Sequence, residues 1–137
     1  MNDLDLDPLR SKWEVIDAER DKTWTVETAF TVTAEDGEEL TIPAGFEHDR
    51  YTTAPDTNDN TPAVAHDFCY SKIASGRKWD SGKKISRKSA DKLLRFLMEQ
   101  SDDPQTKERA AQYYRGVRLY GWPTWHLNTL KARIASL

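Results

Sequence analysis

The chain is short of cysteine, of basic charge and of long apolar runs, and each shortage removes a class of answer. A single cysteine, Cys69, leaves no internal disulfide, so the fold must rest on its own core and suits a reducing compartment or assembly there. The 23 Asp and Glu residues outnumber the 20 Lys and Arg residues, for a formal net charge of -3. Without a basic surplus to draw in phosphates, nucleic acid is not an expected partner. No apolar stretch approaches the roughly 20 residues a membrane helix needs, so no transmembrane segment is expected. Met1-Asn2-Asp3-Leu4-Asp5-Leu6-Asp7 has neither the basic nor the apolar region of a signal peptide. The expected product is soluble and made without export. No internal repeat or low-complexity block appears.

What is present suits one folded domain: 137 residues, 37% hydrophobic and 31% charged, enough for a single core without metal or disulfide staples. Residues 1–12 alternate acids and leucines ahead of Pro8 and read as a loosely held arm. The domain proper is expected over 13–137, as a β-meander (13–50), an irregular loop (51–60) and a helical part (61–137). Trp13-Glu14-Val15-Ile16-Asp17 reads as a short strand. Between Thr23 and Thr33, Trp24 and Val26 alternate and then, after a break of phase, Phe30 and Val32 do, among β-branched residues. Asp36-Gly37 marks a tight hairpin, and Glu39-Leu40-Thr41-Ile42 returns before Pro43.

Turn formers and oxygen-bearing side chains fill 43–60. Thr61-Pro62 then predicts a helix through about Ile73. Ser86 is placed to cap a second helix to about Gln100, with Ala90, Leu93, Leu94, Leu97 and Met98 in an apolar stripe and Asp91 at its edge. A third helix is expected from Pro104 to Gly121 and a short amphipathic tail helix over 127–137. Strands first and helices afterwards indicate an α+β fold, an antiparallel meander packed against three to four helices.

The residues most suggestive of chemistry lie between positions 66 and 91. His66 has a side chain whose ordinary pKa is nearest neutrality, Asp67 stands beside it, and Asp91 waits on the next apolar helix. A general base, a carboxylate able to hold a cation and a carboxylate able to orient the base are therefore present together. Upstream, Asp56-x-Asn58-x-Asn60 spaces three oxygen side chains as in the first half of an EF-hand loop, with Asp67 at the twelfth position counted from Asp56. Thr61 stands where the sharp turn of such a loop wants glycine, so the readings are an irregular calcium site or a solvated turn.

Gly45-Phe46-Glu47-His48-Asp49, Pro55, Ala65-His66-Asp67-Phe68-Cys69-Tyr70, Ser89-Ala90-Asp91 and Tyr114-Arg115-Gly116-Val117-Arg118 with Gly121 resemble the phage and prophage family catalogued as domain-of-unknown-function 1353. The likeness runs from about Trp13 to Trp125, and departs at Thr52-Thr53-Ala54-Pro55, where the family has a serine-proline turn. It implies a viral origin, synthesis in the host cytoplasm, and a place either in the virion or outside it. His66-Asp67-Phe68-Cys69-Tyr70 is also similar to the His-Asp-x-Cys-Tyr helix of phospholipase A(2), and Ala90-Asp91-Lys92 to the segment carrying that family's second aspartate. This resemblance implies that His66 deprotonates water, that Tyr70 and Asp91 orient its ring, and that Asp67 binds calcium. The phospholipase glycine-rich calcium loop and disulfide framework have no counterpart here.

Two functions follow. One is a calcium-assisted hydrolase acting on a lipid or other ester. The other is a non-enzymatic virion module, tail- or capsid-associated, or an accessory protein, whose partners are other phage structural proteins; His66 and Asp91 then form a structural pair, each member costly to leave alone. Other features carry paired readings too. His48, Asp49 and His66 are a transition-metal set or a coincidence of spacing. Cys69 falls on a different helical face from His66 and reads as a small buried hydrophobe. Seven Lys or Arg residues between Lys72 and Lys88, with Trp79 among them, either meet phosphates or form a solvated loop. Trp122 is expected in the core, while Trp125 is open between core and assembly surface.

Overall fold

A computed structural model describes residues 24–48, 59–71 and 77–135. The arm at 1–12, the strand expected at 13–17, and Asp49, Asp56 and Asn58 lie outside the described residues. The architecture is α+β. Among the described residues four strands come first, β1 (Trp24–Thr25), β2 (Phe30–Thr33), β3 (Glu39–Ile42) and β4 (Glu47–His48), followed by five helices. The helices are α1 (Thr61–Ser71), α2 (Arg87–Glu99), α3 (Pro104–Glu108), α4 (Ala110–Tyr120) and α5 (Trp122–Ala135).

The break of phase between Val26 and Phe30 is real, and it divides the strand region into two antiparallel pairs rather than one meander. β1 pairs β4, Trp24 opposite His48, whereas β2 pairs β3, Val32 opposite Leu40. In the β2–β3 hairpin Ala34 N–H donates to the Glu38 carbonyl and Gly37 N–H to the Ala34 carbonyl, at 2.8 and 3.0 Å. Gly37 takes φ of 92°, a left-handed backbone that glycine adopts without the Cβ penalty of other residues. Val32, Leu40 and Ile42 face inward and are buried, while Thr31 and Thr41 face out and share a hydrogen bond of 2.9 Å.

α1 opens at Asn60, whose carbonyl accepts from Val64 N–H, and Asp59 Oδ1 accepts the Thr61 N–H. Pro62 then sits in the first turn, where its missing donor is no loss. α2 begins in a reciprocal cap: Ser86 Oγ accepts Ser89 N–H at 3.0 Å and Ser89 Oγ accepts Ser86 N–H at 2.9 Å, two otherwise orphaned donors satisfied together. Leu93, Leu94 and Met98 are buried on the stripe, each contributing roughly 1.5–3 kcal/mol by leaving water. α2 packs against both α1 and α4 and is the central helix.

The helix expected from Pro104 to Gly121 is broken at Arg109, which ends α3 and starts α4 with φ of -92° and ψ of 2°. Asp103 caps the short first piece by accepting Thr106 N–H and Oγ1–H. The tail helix begins at Trp122, not 127. That shift places Trp122 outside the core, 55% exposed, contrary to the sequence expectation. Trp125, one turn on, packs at the core's edge.

Candidate active site

Asp91 is the centre of the site. It is wholly buried on α2, and four groups converge on its carboxylate from three helices. On Oδ1, His66 Nε2 lies at 2.7 Å and the Tyr70 hydroxyl donates at 2.7 Å, both from α1. On Oδ2, Arg118 donates at 2.7 Å from α4, and Arg87 donates at 3.3 Å from one turn back on α2. Helical spacing explains the convergence: residues four apart share a face, which aligns His66 with Tyr70 and Arg87 with Asp91.

The electrostatics follow from this set. Burial alone would push the Asp91 carboxyl upward, but the hydrogen bond and charge of His66, with hydrogen bonds from Tyr70 and Arg118, outweigh it and hold the group below the usual carboxylate range. Asp91 is therefore a carboxylate that only accepts. Tyr70 goes the other way. Burial first, then the adjacent Asp91 charge, push its phenol up, so it stays a neutral donor.

An acceptor-only partner settles the histidine tautomer. His66 must carry its proton on Nε2 to bond Asp91, which leaves the Nδ1 lone pair as the basic nitrogen. Nδ1 has no hydrogen-bond partner among the described residues. The side chain keeps 14% of its surface open, so water has access to a ring whose orientation is fixed from behind by Asp91 and from the side by Tyr70, at 4.5 Å between centroids. Such an arrangement is chemically able to serve as a general base with an orienting acid, and equally as a structural pair.

The arginines extend the site into a frame. Arg87 also donates to the carbonyls of Val117 and Arg118, at 3.0 and 3.3 Å, satisfying groups in the last turn of α4. Gly121 closes that turn, and a Cβ there would meet both the Tyr70 hydroxyl and the Val117 carbonyl at 2.6 Å. A side chain at 121 would therefore collide with the hydroxyl that touches Asp91.

Of the expected catalytic residues, His66, Tyr70 and Asp91 are brought together. Asp91 is deep in the core rather than at the edge of the stripe, with Arg87 and Arg118 as partners that residue typing alone did not name. Arg87 had a signal, an arginine one turn before an acid on a helix, whereas Arg118 is joined to the site only by tertiary packing.

Of the expected cation ligands, Asp56 and Asn58 lie outside the described residues and Asn60 and Asp67 lie within them. Asp67 is half-buried on α1, and Asn60 is buried ahead of it. The buried Asn60 Oδ1 accepts no hydrogen bond among the described residues, and Asn60 and Asp67 would need donors from elsewhere to hold an ion. No group of three or more His, Cys, Asp or Glu residues is placed to share a metal among the described residues, and His48 is buried on β4 with its ring beside Phe46. Cys69 is fully buried, as a small hydrophobe. No helix among the described residues is long and apolar enough to cross a membrane.

A family model described as "Protein of unknown function (DUF1353)" matches residues 24–117, and the chain belongs to that family. The match takes in the whole of His66, Tyr70, Arg87 and Asp91 and stops one residue short of Arg118. No curated protein and no solved structure matches the chain.

Proposed function

We propose that this DUF1353 protein is a phage-encoded hydrolase in which His66 is the general base, acting on an ester, with lipid esters the first class to try. The observation that carries this reading is the free Nδ1 of a ring fixed by a buried carboxylate. In the reaction, His66 Nδ1 takes a proton from water as the oxygen attacks the ester carbonyl. The tetrahedral intermediate then expels the alkoxide, which leaves as the alcohol by taking that proton back, and the acid is the second product. Asp91 and Tyr70 stay in their resting states and act as positioning residues. General acid–base assistance of this kind contributes about 10²–10⁴ in rate.

Calcium enters through Asp67, the residue that the phospholipase A(2) resemblance assigns to it. Asp67 would hold the ion together with donors from outside the described residues, and the ion would supply positive charge able to polarise a carbonyl oxygen. Binding to the folded state raises the melting temperature by linkage. The expected result is a rise in millimolar calcium that Asp67→Asn abolishes; no rise in the wild type removes calcium from the proposal.

A second reading is favoured by the completeness of the Asp91 network, which ties α1, α2 and α4 and has the properties of a structural hub. Under it the protein is a virion component or accessory module, and its detection in purified particles is the supporting result. The deciding experiment is ester hydrolysis by wild type and His66→Ala, each with and without calcium. Loss of turnover in the variant supports the hydrolase, and equal rates end the catalytic assignment.

A further inference from the structure

A cleft of about 360 Å³ lies between the segment before α2 and helix α5. Arg77, Lys84, Arg133 and His126 line it together with Ile85 and Trp125, and no described Asp or Glu does. Arg77 is its most telling member. It is 7% exposed, yet its guanidinium bonds only to neutral acceptors: Thr129 Oγ1 at 2.9 Å, the Tyr70 carbonyl at 2.9 Å and the Trp125 carbonyl at 3.1 Å. Its Nε–H is buried and meets no acceptor among the described residues.

A buried cation is normally matched by a carboxylate, because an unmatched one bears the full cost of lost hydration. Here burial pulls the Arg77 guanidinium below its ordinary value, and no described carboxylate is bonded to it. The group is nonetheless held firmly, its carbon 3.5 Å from the centre of the Trp125 ring. Its backbone is strained as well, at φ of 53°, a left-handed conformation costing a non-glycine residue about 1–2 kcal/mol. Strain of this type is found where a side chain is kept for a ligand.

We propose that this cleft binds a small oxyanion, a phosphate or a carboxylate, carried on a short apolar body. The oxyanion supplies a negative partner for the buried Arg77, with Lys84 at the cleft's rim, and the apolar part lies along Ile85 and Trp125. The volume is at the small end of the range of ligand pockets, which sets the scale of the ligand. The site is separate from the His66 chemistry and is tested by binding alone, so either proposal can fail without the other.

The test titrates the full chain with phenyl phosphate, benzoate and benzyl alcohol at constant ionic strength, following the Trp125 indole N–H by NMR. At least one of the two anions is expected to shift that signal saturably, and neutral benzyl alcohol is not. The tighter anion identifies the ligand as a phosphate or a carboxylate. Lys84 is exposed, so Lys84→Glu is expected to fold as the wild type does and to weaken the anion by about tenfold or more. No saturable shift with either anion, an equal response to benzyl alcohol, or unchanged affinity in Lys84→Glu overturns the proposal.

Discussion

Asp91 and Arg77 are both buried charges, and the molecule treats them in opposite ways. Asp91 is met by two guanidiniums, an imidazole and a phenol, so its oxygens are filled and its charge is more than balanced. Among the described residues Arg77 is met by a hydroxyl and two carbonyls, which fix its position and leave its charge without a carboxylate. They share Tyr70, whose hydroxyl serves the first and whose carbonyl serves the second. The contrast teaches that burial alone does not mark a functional charge; what matters is whether its partners are used up. Among the described residues, Nδ1 of His66 is left over at the Asp91 network, and at Arg77 the charge itself is left over.

The sharpest break in that comparison is Asp91→Asn. It strands Arg87 and Arg118 without a counterion, and removing one member of a buried ionic network costs about 3–5 kcal/mol. A large drop in the denaturation midpoint is expected, whereas a cost under about 1 kcal/mol would show the network to be slack. Arg77→Leu should cost less, about 1–3 kcal/mol, because it removes hydrogen bonds to neutral groups and strands no charge. If it costs more than Asp91→Asn, the two charges have been ranked in the wrong order. Gly121→Ala presses on the hub by shape alone, and should cost about 1–3 kcal/mol through displacement of the Tyr70 hydroxyl.

Acidification separates the two charges again. Asp91 has a lower pKa folded than unfolded, so between its folded value and the ordinary Asp value of about 4 the unfolded chain binds more protons. The stability that Asp91 contributes is therefore fully present above that window and is lost as pH falls through the folded value. Denaturation at a series of pH values should show this acid limb in wild type and a shallower one in Arg77→Leu only if the charges are coupled; independent charges leave the limb unchanged.

Much of this was legible in residue types and spacing. Ser86 capping α2, Thr61-Pro62 opening α1, Asp36-Gly37 turning the hairpin, and His66 with Tyr70 on one helical face are local rules, and local geometry obeyed them. The misses are all tertiary. A charged connector from Lys72 to Lys88 reads as solvated by composition, yet Arg77, Trp79 and Ile85 within it are buried. The connector is pinned through Asp80, whose carboxylate accepts from Thr41 N–H and Oγ1–H. Trp122 reads as core by its size, but the early start of α5 turns it outward and gives the inner position to Trp125. Arg118 lies 27 residues from Asp91, and no local pattern pairs them.

The proposed base is one nitrogen, Nδ1 of His66. A long-range proton–nitrogen NMR spectrum of the His66 ring at neutral pH reports directly which nitrogen carries hydrogen. Protonation on Nε2 with a bare Nδ1, retained in Tyr70→Phe and changed by Asp91→Asn, is the predicted result. A ring protonated on Nδ1 alone would mean that Asp91 does not set the tautomer, and would contradict the base assigned here.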